Sequence, residues 1–154
     1  MSQFPDIEPM VYQSKINVPY RWWAGNTASR FYAALRDEKI IMGTKCPACG
    51  RVFVPPRKAC PTCFTENTQW VELSDEGCVL SFTVARRQFA AIPKNRKTPV
   101  IWGLIKLDGA DTALLHYIDE IAPENVTIGM RVRAVFAATR TGAIQDIAHF
   151  QPIQ

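Results

Sequence analysis

The chain has 154 residues, 47% of them hydrophobic and 21% charged, and its 18 basic and 14 acidic side chains leave a formal net charge of +4. These proportions exclude intrinsic disorder and a miniprotein that needs staples throughout, and bound the answer at one domain or two small ones. No apolar run approaches the ~20 residues of a membrane helix, and the first twenty residues carry Pro5, Asp6, Glu8, Pro9 and Pro19 where a signal peptide would be apolar, so a soluble cytoplasmic protein is expected.

The opening stretch to Tyr20 has three prolines and no apolar period, which predicts an extended arm. Tyr20-Arg21-Trp22-Trp23-Ala24-Gly25 follows, an aromatic cluster open to two readings: a plug into its own fold or a docking patch. Asn26 and Thr27 offer an N-cap, and Ala28, Phe31, Tyr32 and Leu35 recur at helical spacing up to Lys39. Met42 to Lys45 and Arg51 to Val54 predict a hairpin that ends at Pro55-Pro56.

Within and beyond that hairpin stand Cys46-Pro47-Ala48-Cys49-Gly50 and Cys60-Pro61-Thr62-Cys63, two CxxC pairs separated by ten residues. A CxxC turns tightly enough for backbone amides to face the first sulfur, and two such knuckles supply four thiolates in a tetrahedron. Gly50 suits the positive φ after a knuckle, whereas Phe64 suits it less. Cys46, Cys49, Cys60 and Cys63 are therefore expected to bind one structural zinc, with four ligands leaving no position for substrate. Disulfides, a redox dithiol and unconnected thiols are the competing readings, and iron would accept the same ligands.

From Gly77 the pattern changes to strands: Gly77 to Arg87, Pro99 to Leu107, Thr112 to Ile118, Arg131 to Ala138 and Ile144 to Phe150. Asp108-Gly109 marks a tight turn, and Pro123 to Gly129 a longer connection with room for a helical turn. Five short strands with a long third connection fit a Greek-key barrel of the OB type, with a sandwich fragment as the alternative. Charge is unevenly placed, since residues 76–106 hold six basic side chains and one acidic, while 107–154 hold three and six. Such a distribution argues against a chain coated for DNA.

A catalytic centre is hard to assemble from these residues. Cys78 opens a strand and reads as a small core hydrophobe, His116 as a satisfied histidine, and His149 completes the histidines; no nucleophile elbow, phosphate-binding glycine loop or paired carboxylates stand on one element.

The order of Tyr20 to Gly25, Arg30-Phe31, the two knuckles, Val54-Pro55-Pro56-Arg57, Gly77-Cys78-Val79-Leu80-Ser81-Phe82-Thr83-Val84 and Ile128-Gly129-Met130-Arg131-Val132 resembles the zinc-ribbon and OB-fold acyl-CoA-associated family. The resemblance covers nearly everything after Tyr20, although position 78 is Cys where similar chains often have Thr. It implies a mainly β protein with an N-terminal helix, in which a rubredoxin-like zinc ribbon precedes a five-stranded OB-fold barrel. The expected division is an arm over 1–23, helix plus ribbon over 24–69 and barrel over 70–154. It also implies a non-catalytic partner of a thiolase-like subunit in a hetero-oligomer such as a heterotetramer. Such pairs make or break carbon–carbon bonds in coenzyme A thioesters, with thiolysis of an aromatic acyl-CoA such as benzoylsuccinyl-CoA preferred here. The basic connection Arg86, Arg87, Lys94, Arg96 and Lys97 would then bind the coenzyme A phosphates, or else an acidic partner surface. A single-strand nucleic-acid binder and an iron electron carrier remain the alternatives; the first would need aromatics interleaved with the basic residues, where only Phe89 qualifies.

Overall fold

A computed structural model of the chain describes residues 10–13, 15, 18–88, 90, 92 and 96–153. Among the described residues before Asn26 there is no regular element. Helix α1 (Asn26–Asp37) follows, capped by Gly25 with no side-chain hydrogen bond, so neither Asn26 nor Thr27 serves as the cap. The helix buries Phe31, Ala34 and Leu35 on one face. It stops two residues before Lys39, which takes φ 59° and turns the chain so that the Ile40 amide donates back to the Ala34 carbonyl at 3.3 Å.

The ribbon is a three-stranded sheet of β1 (Ile41–Lys45), β2 (Val52–Phe53) and β3 (Gln69–Leu73) in the order β2-β1-β3. Strand β3 is absent from the sequence expectation. Its Gln-Trp-Val-Glu-Leu run alternates poorly, and it exists because all five of its residues pair antiparallel with β1, Ile41 opposite Leu73 through Lys45 opposite Gln69. Ser74 and Asp75 alone separate it from the barrel.

Strands β4 (Glu76–Ala85), β5 (Val100–Leu107), β6 (Leu114–Ile118), β7 (Arg131–Phe136) and β8 (Ile147–Pro152) form a closed barrel in the order β4-β5-β6-β8-β7. The five-stranded expectation holds, and the single parallel contact, Ile118 with Phe150 between β6 and β8, is what closes the barrel where the chain order is broken. A 3₁₀ turn at Pro123–Asn125 fills the long connection. The last strand begins three residues later than expected, because Ile144–Asp146 curls into another 3₁₀ turn. Asp146, 2% exposed, causes the curl by accepting the amides of Thr141 and Gly142 (2.8 Å each) and Ala143 (3.3 Å). Burial pulls its carboxyl up, but those three amides outweigh it and hold the group below the usual carboxylate range. Gly77 is required for another reason: a Cβ there would collide with the Lys106 carbonyl across β4 and β5.

Val79, Ile105, Val132, Ile147 and Phe150 fill the barrel, and their cluster runs on without a break into Phe31 and Leu35 of α1 and Ile41, Val52, Val54 and Leu73 of the ribbon. Hydrogen bonds reinforce that continuity. Asp111 accepts the Val52 amide on its carboxylate (2.8 Å) and donates its own amide to the Val52 carbonyl (2.9 Å). One residue on, the Thr112 hydroxyl accepts the Val54 amide (2.8 Å) and donates to the Val54 carbonyl (2.9 Å). The barrel loop before β6 thus stands in for a fourth ribbon strand beside β2.

Candidate functional site

Both CxxC pairs close in the same way. The Gly50 amide donates to the Cys46 carbonyl (2.9 Å) and the Phe64 amide to that of Cys60 (3.0 Å). Each closing residue is left-handed, at φ 75° for Gly50 and 55° for Phe64. Glycine adopts this freely, while a side chain there costs roughly 1–2 kcal/mol. The Cys46 amide donates to the Arg51 carbonyl (2.8 Å) and the Cys60 amide to that of Thr65 (2.9 Å), folding each loop back on itself. Together the knuckles bring the sulfurs of Cys46, Cys49, Cys60 and Cys63 within 4.8 Å of one another. Phe53, 2% exposed, forms the floor beneath Cys46 and Cys60.

The surroundings ready the first cysteine of each knuckle as a thiolate. The Thr65 hydroxyl, 3.3 Å from Cys46 Sγ, and then the Cys49 amide draw the Cys46 thiol down to about 6. Cys60 is lowered too, chiefly by the Cys63 amide that donates to its sulfur at 3.4 Å. Cys63 is pushed up to about 12, first by its interaction with the Cys49 sulfur and then by desolvation. Four like charges therefore cannot gather here unless a cation neutralises them. Metal–sulfur bonds of about 2.3 Å in a tetrahedron would set the sulfurs roughly 3.8 Å apart, and the Cys49 and Cys60 sulfurs stand 3.8 Å apart. Donor set and spacing fit a thiolate-bound metal whose four protein ligands fill its shell, so its role is to hold the ribbon.

The basic connection between β4 and β5 divides in its roles. Arg86, Arg87 and Lys97 are exposed, and Lys94 lies outside the described residues, as do Phe89 and Pro93. Because Ala85 pairs with Val100, Arg86 and Arg87 leave β4 at the end of the hairpin that Lys97 enters. Arg96 instead turns inward. Its guanidinium lies 3.9 Å from the Tyr117 ring centroid, donates to the Ala148 carbonyl at 2.8 Å and pairs with Asp119 at 3.1 Å. Ile92, 2% exposed, packs with Val100 and Tyr117, and Gln88 Nε2 donates to its carbonyl at 2.8 Å. The loop is thus pinned at Ile92 and Arg96 and holds the other described cations toward solvent. A cleft of 460 Å³ opens beside Arg96 and Lys97, with Asp119 in its wall.

Cys78 is half-buried and not a core residue, because its strand position, opposite Lys106 and Arg131, faces outward. His116 is 4% exposed with both ring nitrogens engaged, Nδ1 accepting the Tyr117 amide (2.9 Å) and Nε2 bonding the Ile144 carbonyl (3.2 Å). These partners fix the tautomer with hydrogen on Nε2, and burial pushes the imidazole below its usual range, so it is neutral and satisfied. His149 pairs with Glu120 at 2.9 Å.

Two family models match adjoining segments of the chain, the ChsH2 rubredoxin-like zinc ribbon domain over residues 33–69 and the ChsH2 C-terminal OB-fold domain over 70–137. The chain belongs to the ChsH2/DUF35 family. A DUF35 domain-containing scaffold protein of Methanocaldococcus jannaschii is 28% identical over 132 residues, covering 81% of this chain and 90% of the relative. A scaffold protein of the same description from Pyrococcus furiosus is 27% identical over 107 residues, 70% of this chain and 76% of the relative. Among solved structures, a DUF35-family protein of unknown function from Sulfolobus solfataricus superposes with a TM-score of 0.61 at 26% identity, over 83% of this chain and 84% of its own. An Ltp2-ChsH2(DUF35) aldolase shares the fold with a TM-score of 0.66 at 23% identity, over 86% of this chain and 98% of its own.

Within this DUF35 chain the cysteines were visible from spacing, but their supports were not. Thr65 beside Cys46, and Asp111 and Thr112 against β2, act from 19, 59 and 58 residues away. The Asp-Gly turn at 108–109 places Asp111 and Thr112 just past a hairpin, and that is the only local signal they carry.

Proposed function

We propose that this DUF35 chain is the non-catalytic scaffold subunit of a thiolase-type complex that makes or cleaves carbon–carbon bonds in coenzyme A thioesters. The observation that carries the reading is the ribbon fused to the barrel by one core and by the Asp111 and Thr112 bonds, in a chain whose relatives at 28% and 27% identity are described as scaffold proteins. The fold likeness to an Ltp2-ChsH2(DUF35) aldolase supports the same class of partner. The chemistry of the residues agrees, since the cysteine cluster fills its metal with protein ligands and His116 has both nitrogens engaged. Activated thiolate and oxyanion site belong in the partner.

In this reading Cys46, Cys49, Cys60 and Cys63 hold one zinc that stabilises the ribbon without touching substrate. Arg86, Arg87 and Lys97, with Lys94, meet the coenzyme A phosphates, while Arg96 sets the loop's shape through Tyr117 and Asp119. The complex is a cytoplasmic heterotetramer, and its preferred reaction is thiolysis of an aromatic acyl-CoA such as benzoylsuccinyl-CoA. Turnover tests this: each purified subunit alone should leave the thioester intact and the mixture should cleave it. Full activity of the thiolase-like subunit without this chain would refute the proposal.

A further inference from the structure

The aromatic segment before α1 was open to two readings, and the structure separates them. Tyr20, Trp22 and Trp23 are 78%, 75% and 74% exposed, so they do not plug the protein's own core. Trp23 lines a 670 Å³ cleft between the start of α1 and the ribbon, together with Arg30 and Trp70, and does not fill it. Upstream, Tyr12 is 82% exposed and Met10, Val11 and Val18 are 81%, 88% and 66% exposed. Large apolar side chains gathered on one short segment without cover mark an interaction surface.

We infer that this arm is the anchor by which the scaffold grips its thiolase-like partner, the aromatics seating in an apolar groove with an acidic rim. The inference rests on the function proposed above. Area supports the occupant. Four aromatics about three-quarters exposed carry roughly 600 Å² between them, against the ~800 Å² per side of a standard stable interface; Met10, Val11 and Val18 add the rest. Charge supports the rim, because residues 10–23 contain Lys15 and Arg21 and no acidic side chain. Tyrosine and tryptophan are also the residues that dominate interface energetics, since they carry much apolar area on few rotatable bonds.

The test compares the full-length metal-loaded chain with its Tyr20→Ala/Trp22→Ala/Trp23→Ala variant and an Arg21→Glu variant, titrated calorimetrically against the thiolase-like subunit. Sedimentation and thermal melting of each isolated chain complete the set. The triple variant should lose about a hundredfold or more in affinity, and Arg21→Glu should lose less and most clearly at low salt. Both should melt like the parent, because the residues replaced are exposed. Parent binding with equal affinity in the triple variant would overturn the anchor while leaving the scaffold function standing. A parent chain that does not bind the subunit would remove both. Self-association of the isolated parent that the triple variant abolishes would also overturn it, by making a second copy the occupant.

Discussion

Replacing Thr112 with valine keeps the side chain's shape and deletes one hydroxyl, which makes it a sharp probe of how ribbon and barrel are joined. That hydroxyl both accepts the Val54 amide and donates to the Val54 carbonyl, and Val54 is 1% exposed. The substitution therefore strands one donor and one acceptor where water cannot reach. Each lost partner costs about 1–3 kcal/mol when the group left behind is buried, so two give roughly 2–6 kcal/mol; Thr112 is itself half-buried, which places the expected loss in the lower half of that range, at about 3 kcal/mol. For a chain of this length that corresponds to a fall of roughly 6–12 °C in Tm. The assay is urea and thermal unfolding of the metal-loaded protein, with hydrogen exchange read at the Val54 amide. Thr112→Ser, which retains the hydroxyl, should recover most of the loss, and metal content should be unchanged in both. A Thr112→Val protein within about 0.5 kcal/mol of the parent, with the Val54 amide still protected, would refute a joint made by side-chain hydrogen bonds.

Asp146→Ala should cost about 2–4 kcal/mol in denaturant unfolding, since it leaves the amides of Thr141, Gly142 and Ala143 without their acceptor. Because burial lowers the His116 pKa, the unfolded chain takes up the proton first as pH falls; stability should be level above about pH 6.5 and decline below it, and His116→Gln should remove that part of the slope. Strong chelation should expose ribbon amides such as those of Cys46 and Cys60 to hydrogen exchange before those of β5 and β7; simultaneous exposure would contradict a metal that holds only the ribbon. Cys78→Ala should leave turnover of the assembled complex within a few-fold, and a loss beyond about a hundredfold with assembly intact would place a chemical participant at that position.

What the sequence revealed and what it hid follow the range of the interactions. The knuckles are local, so Cys46 to Gly50 and Cys60 to Cys63 could be read directly, and the barrel strands were found because their segments are rich in Val, Ile, Leu, Phe and Thr between turn signals. Strand β3 escaped because Gln69–Leu73 owes its extended form to β1 and not to its own residues. The cap of α1 was misplaced because Gly25 enters the helix through a left-handed φ of 85°, which needs no capping side chain. Among the five basic residues of the connection the sequence offered no way to single out Arg96, whose partners Tyr117, Asp119 and Ala148 come from the end of β6 and from β8, distant along the chain. Ile144 reads as strand until Asp146, a buried carboxylate with three backbone donors, pulls the chain into a turn.

Whether a metal-held scaffold assembles with a thiolase-like subunit can be read by native mass spectrometry of the two co-expressed chains. A heterotetramer with one zinc per scaffold chain is expected, and a Cys60→Ser scaffold should lose both the metal and the assembly. A scaffold chain that runs alone, that carries iron, or whose Cys60→Ser variant still assembles with its metal would contradict this expectation.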